Sequence, residues 1–106
     1  MDYKKAIEEI VQTLKDKHQP LKIILFGSCV SGKVSRDSDI DMLIIKDTNK
    51  PYSQRWFEVC KDTRSLKRNI PFEPIILTSA EFNKELKRNL FLQEIVEKGR
   101  VLYDKG

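Results

Sequence analysis

Asp39 and Asp41 stand two positions apart at the head of an apolar run, Ile40-Asp41-Met42-Leu43-Ile44-Ile45. In an extended segment that spacing projects both carboxylates from one face, where they can share a divalent cation. A little earlier, Ile24-Leu25-Phe26 runs into Gly27-Ser28, with Gly32 four residues further on. A strand that ends in Gly-Ser and opens a helix brings backbone N–H groups and a hydroxyl to one point, an arrangement suited to a phosphate. Triphosphate on one side and metal on the other is the equipment of phosphoryl or nucleotidyl transfer.

Each half has a plainer explanation. Gly27-Ser28 serves equally well as a tight strand-to-helix turn with a serine N-cap. Asp39 and Asp41 could be solvated residues at an exposed strand end. The conjunction favours chemistry, because two aspartates on one strand face repel each other unless a cation or a basic partner neutralises them.

The elements that must position these residues follow from periodicity. Ala6, Ile7, Ile10, Val11 and Leu14 form one apolar stripe, which predicts a helix from Tyr3 to Lys17, ended by His18 and Pro20. Leu21 to Phe26 reads as a buried strand, Ser28 to Lys33 as a short helix closed by Gly32, and Ile40 to Ile45 as a second strand. In that strand Asp39, Asp41, Leu43 and Ile45 share one face, and Ile40, Met42 and Ile44 the other. A helix from Ser53 to Leu66 is expected to turn Trp56, Val59, Cys60 and Thr63 inward. Phe72 to Leu77 is a third strand, and Pro74 within it points to a sheet edge. Thr78-Ser79-Ala80-Glu81 is a capping-box pattern that starts a helix, Leu90 to Lys98 is another helix closed by Gly99, and Arg100 to Tyr103 a terminal strand. The expected class is α/β (α+β), a small mixed sheet packed with helices over a single domain, residues 1–106.

Composition narrows the partners. At 106 residues the chain has room for a core but not for a second substrate-binding lobe, so an acceptor would bind this domain directly. A net charge of +4, spread rather than blocked, suits a polyanionic ligand without demanding nucleic acid. Two cysteines without a CxxC pair, together with His18, speak against a zinc site. The absence of a signal pattern or long apolar stretch favours a reduced, cytoplasmic protein away from membranes.

Other side chains read first as structure. Trp56 and Phe57 look like core and boundary residues, and His18 like a helix C-terminal residue. Cys29 beside the turn could have a lowered pKa, although a small packed side chain is the simpler reading. Lys61, Arg64, Lys67 and Arg68, like Lys84, Lys87 and Arg88, read as solvated helix faces.

Gly27-Ser28, Gly32 and Ser38-Asp39-Ile40-Asp41 with its apolar tail resemble the signature of the polymerase-beta-like nucleotidyltransferase superfamily. More closely, the chain resembles its stand-alone minimal nucleotidyltransferases, and Ile70–Thr78 and Gly99–Tyr103 extend the likeness over nearly the whole length. The resemblance implies a polymerase-beta-like fold in which Asp39 and Asp41 hold one or two Mg²⁺ ions against the triphosphate of ATP. It gives Gly27 the close backbone approach and Ser28 the β- and γ-phosphates. Glu73 becomes the third metal ligand, helping to deprotonate the acceptor hydroxyl, and Ser38 shapes the loop at the nucleotide. The chain departs from the pattern in having Glu where Asp is commoner, followed by Pro74, and Val30-Ser31-Gly32 where many minimal members carry Ala-Arg-Gly. A solvent-facing Glu before a proline turn is the structural alternative at Glu73, and Lys33 and Arg36 offer replacement charge near the missing arginine.

In size and motif, minimal members resemble antitoxins paired with a HEPN-type helical toxin. The expected function is therefore Mg²⁺-dependent transfer of AMP from ATP to an acceptor hydroxyl, with pyrophosphate released, silencing such a toxin by adenylylation. The alternative is a catalytically weak or inactive binding module that neutralises its partner by occlusion. Apolar surface on the helices after Pro51 and Glu81 leaves a partner or a homo-oligomer open.

Overall fold

The computed structural model describes residues 3–32, 34, 38–66 and 70–106. The expectations at Lys33, Arg36, Lys67 and Arg68 lie outside these residues. Nine elements follow in the order α1 (Tyr3–His18), β1 (Lys22–Phe26), α2 (Ser28–Ser31), β2 (Ile40–Ile45), α3 (Tyr52–Thr63), β3 (Phe72–Leu77), α4 (Ser79–Leu86), α5 (Leu90–Lys98) and β4 (Arg100–Asp104) among the described residues.

The strands form a mixed sheet in the order β3-β2-β1-β4. β1 is antiparallel to β2 and to β4, whereas β2 and β3 are parallel and joined through α3. Period-two alternation sorts the side chains onto two faces. Ile23, Leu25, Ile40, Met42, Ile44, Phe72 and Ile76 pack with Ala6, Ile10 and Leu14 of α1 and Val59 of α3. Ile24 and Leu43 face the other way, onto Leu92 and Ile95 of α5, with Phe82 and Leu86 of α4 alongside. Burying the first set removes most of α1's apolar stripe from water, at roughly 1.5–3 kcal/mol for each large aliphatic side chain.

The terminal signals work locally. Thr78 accepts from the Glu81 N–H at 3.1 Å, and the Glu81 carboxylate accepts from the Thr78 N–H at 2.9 Å, which completes the capping box of α4. Arg55 of α3 donates to both Glu81 oxygens, at 2.7 and 3.3 Å, tying α3 to α4 and holding the Glu81 carboxyl down at about 2. Pro74 sits in β3, an edge strand of the sheet, where a missing N–H costs least.

Some expectations are corrected. Trp56 does not face inward; it is 44% exposed, Phe57 is 55% exposed, and Val59 and Thr63 are the buried side chains of α3. The Thr63 hydroxyl is accommodated by donating to the Val59 carbonyl at 2.8 Å. Gly99 closes α5 for lack of bulk rather than by a left-handed turn: its backbone is extended, and a Cβ there would lie 2.6 Å from Ile24 Cγ2. Gln19, not Pro20 alone, ends α1, adopting φ 48° while its N–H reaches the Leu14 carbonyl at 3.1 Å.

His18 closes α1 as expected but is also buried at 7% exposure. Its Nε2 lies 2.8 Å from Asp62 Oδ2, and its Nδ1 3.1 Å from Lys46 Nζ. An ammonium only donates, so Nδ1 accepts and Nε2 carries the proton that Asp62 receives. Burial pushes the imidazole below its usual range, against the Asp62 hydrogen bond, and Lys46 adds to the lowering.

Candidate active site

Three strand positions come into line at one end of the sheet. Asp41 pairs with Phe26 across the antiparallel β1–β2 ladder and with Glu73 across the parallel β2–β3 ladder. Directly paired residues point to the same face, so Asp41 and Glu73 share the face covered elsewhere by α4 and α5. Asp39 lies one residue ahead of β2 and, by period two, on that face as well.

Gly27 follows Phe26 with φ 79° and ψ −154°, a backbone conformation costly for any residue with a Cβ. A Cβ added there would fall on the Asp41 carboxylate. The glycine thus lets the chain pass against Asp41, which places the opening of α2 beside the carboxylates. The N–H groups of Val30 and Ser31 return to the Gly27 carbonyl at 3.1 and 3.2 Å, and no side chain caps the turn. Gly32, at φ 81°, ends the helix in the left-handed region.

Electrostatics set this corner apart. Burial pushes the Asp41 carboxyl above its ordinary value, and the charges of Asp39 and Glu73 push it further. The same surroundings favour the packed reading of Cys29 over the lowered-pKa alternative: burial, then Asp41 and Asp39, raise its thiol pKa, and the side chain packs against the main core. Cys29 Sγ donates to the Asp39 carbonyl at 3.3 Å, and the Tyr3 hydroxyl to the Ser38 carbonyl at 3.0 Å. Ser38 is buried at 7% exposure in the loop leading to Asp39.

The structure therefore brings Gly27, Ser28, Asp39, Asp41 and Glu73 to one end of the sheet, with Ser38 behind them. Among the described residues no three His, Cys, Asp or Glu side chains are gathered closely enough to enclose a metal ion by themselves. The donor set is nonetheless chemically suited to a hard cation, being all oxygen and mutually repelling; Asp39 and Asp41 are half-buried, whereas Glu73 is exposed, as the solvent-facing alternative at that position has it.

Beside the glycine turn lies a cleft of about 530 Å³ lined by Phe26, Gly27, Val30, Phe91, Glu94 and Lys98, among others. Phe26 and Phe91 meet edge to face with ring centroids 5.7 Å apart. Sequence reasoning missed this wall, although Phe91, Glu94 and Lys98 recur at helical spacing along one side of α5.

Comparison with known proteins agrees with this geometry. The profile described as "Polymerase beta, Nucleotidyltransferase" matches residues 8–106. The chain belongs to that nucleotidyltransferase family. A relative from Methanocaldococcus jannaschii, assigned as a protein adenylyltransferase, is 37% identical over 105 residues, spanning 97% of this chain and 100% of the relative. Among solved structures, a toxin–antitoxin determined with AMP-PNP superposes with a TM-score of 0.64 at 24% identity, covering 92% of this chain and 72% of that one. A protein of Sulfolobus solfataricus assigned as a nucleotidyltransferase gives 0.61 at 19% identity, covering 95% and 79%. At such identities these structures speak for the nucleotidyltransferase fold, whose mixed sheet and flanking helices are those described above. No helix among the described residues is long and apolar enough to cross a membrane.

Proposed function

We propose that this nucleotidyltransferase moves AMP from ATP to a hydroxyl of a partner protein and releases pyrophosphate, with Mg²⁺ as the metal. The observation that carries the reading is the close approach of the Gly27 backbone to the Asp41 carboxylate, on which an added Cβ would fall; it supports a turn for phosphates beside a face for metal. A protein acceptor is supported by the name of the M. jannaschii relative, which this chain matches over its full length. A toxin as that protein is supported by the toxin–antitoxin assemblies that share the fold, and its helical HEPN type by the resemblance of the sequence motifs alone.

In this reading Asp39 and Asp41 would hold Mg²⁺, with Glu73 on the neighbouring strand as the third carboxylate. Bound there, Mg²⁺ neutralises charge on the phosphates and stabilises the departing pyrophosphate. The Ser28 hydroxyl and the first N–H groups of α2 hold the β- and γ-phosphates. The cleft lined by Phe26 and Phe91 receives the nucleoside. The acceptor oxygen attacks the α-phosphorus, the bond to the bridging oxygen breaks, and a carboxylate takes the hydroxyl proton.

Incubation with Mg²⁺ and ATP labelled at the α-phosphate, with and without the protein encoded by the adjacent gene, tests the proposal. Label on that protein is the expected result. Silencing of the partner that survives the combined Asp39→Asn and Asp41→Asn change, with no label transferred by the wild type, would replace catalysis by occlusion.

A further inference from the structure

Asp41 and Asp39 reach the site by different routes. Asp41 lies inside β2, fixed by Phe26 on one strand and Glu73 on the other. Asp39 precedes the strand, so its place is set by what grips the backbone around it. Three backbone groups in two successive peptide units are gripped there, each by a different part of the fold. The Tyr3 hydroxyl donates to the Ser38 carbonyl at 3.0 Å, Cys29 Sγ to the Asp39 carbonyl at 3.3 Å, and the Ile40 N–H to the Pro71 carbonyl at 2.8 Å.

That grip has an electrostatic reason. Asp41 and Glu73 are paired across β2 and β3, and Asp39 lies on the same face, so three like charges meet at one end of the sheet. A carboxylate on loosely held backbone would relieve the repulsion by swinging away from the shared face. Two of the three tethers are side chains, one at the first turn of α1, 35 residues away, the other in α2. Both side chains also pack against the main core, so the rigidity of the sheet's packed face passes to the residue just outside its ladder.

We infer that Tyr3 and Cys29 are positioning residues that hold Asp39 where it can share a cation with Asp41, an inference that rests on the nucleotidyl-transfer reading. Tyr3→Phe removes only the hydroxyl, Cys29→Ala only the sulfur, and Cys29→Ser keeps a donor. Binding of Mn²⁺ in the presence of a non-hydrolysable ATP analogue, followed by electron paramagnetic resonance, reads the effect without turnover.

Tyr3→Phe and Cys29→Ala should each raise the half-saturating Mn²⁺ concentration about threefold to tenfold, the loss of one hydrogen bond. Cys29→Ser should recover most of the loss, and saturating metal should bring kcat back toward the wild-type value. Unchanged Mn²⁺ binding in both variants, with binding abolished by Asp39→Asn, would overturn the positioning role and leave the nucleotidyl-transfer reading intact. Failure of the wild type to bind Mn²⁺ with the analogue would overturn that reading and the inference together. Should Tyr3→Phe fail to fold by circular dichroism, the Cys29→Ala and Cys29→Ser pair decides on its own.

Discussion

At one end β2 runs into Lys46, whose ammonium meets His18 at 3.1 Å, with Asp62 across the ring at 2.8 Å. At the other end it presents Asp41 between the charges of Asp39 and Glu73. Both ends withdraw ionisable groups from water. At the lysine end donor meets acceptor in sequence, from Nζ to Nδ1 and from Nε2 to carboxylate, as buried polar groups require. At the aspartate end like charges face one another, and the glycine turn meets Asp41 with bare backbone, where an added Cβ would fall on the carboxylate. A fold keeps such repulsion where a ligand relieves it. The contrast thus separates a structural latch from the proposed binding site on the same strand.

The largest expected effect breaks the aspartate end. Asp41→Asn should lower AMP transfer at least about a hundredfold, because one charge of the proposed metal site is lost. Its melting temperature should stay level or rise, since the change also removes a repelling charge; a fall of several degrees would make Asp41 a structural residue. Mg²⁺ with an ATP analogue should raise the melting temperature of the wild type and not of this variant.

Gly27→Ala comes next. It forces a Cβ into a positive-φ position against Asp41, so it should cost about 1–3 kcal/mol of stability and at least about tenfold in transfer rate. Normal nucleotide binding by this variant would show that the close approach does not serve the phosphates.

At the lysine end, His18→Ala should cost about 2–3 kcal/mol in denaturant unfolding, because it empties a packed position and strands Asp62 and Lys46. Transfer by the molecules that remain folded should match the wild type. A change in metal affinity here would mean that the two ends are coupled.

The smallest effect is a pH dependence. The folded pKa of His18 lies below its ordinary 6.5, so the unfolded chain takes up the proton first. Stability from the latch is therefore present above about pH 6.5 and is lost as pH falls through the folded value. The wild-type melting temperature should drop on acidification through that window more steeply than that of His18→Gln, whose side chain does not titrate there.

Much of this was legible in the chain because it rests on local rules. The strand boundaries at Ile40–Ile45 and Phe72–Leu77, the capping box at Thr78 and the helix from Leu90 to Lys98 are written in period, turn residues and caps. That Gly27-Ser28 and the Asp39/Asp41 pair would meet at one end of a sheet was also legible, since their spacing fixes their geometry once a strand is assumed. Trp56 misled because an aromatic residue near the start of an amphipathic helix does not reveal which rim of the stripe meets the core.

Contacts between distant segments lay beyond such rules. The register that sets Glu73 opposite Asp41 depends on how two parallel strands slide past each other, and neither strand's own residues state it. Tyr3 meeting Ser38, His18 meeting Asp62 and Lys46, and Phe91 closing a cleft on Phe26 arise only when helices dock on the sheet. Local propensity and spacing therefore chose the elements and the reactive side chains. Long-range packing chose how those side chains face one another, because three-dimensional neighbours are made by burying surfaces that no short stretch of chain contains.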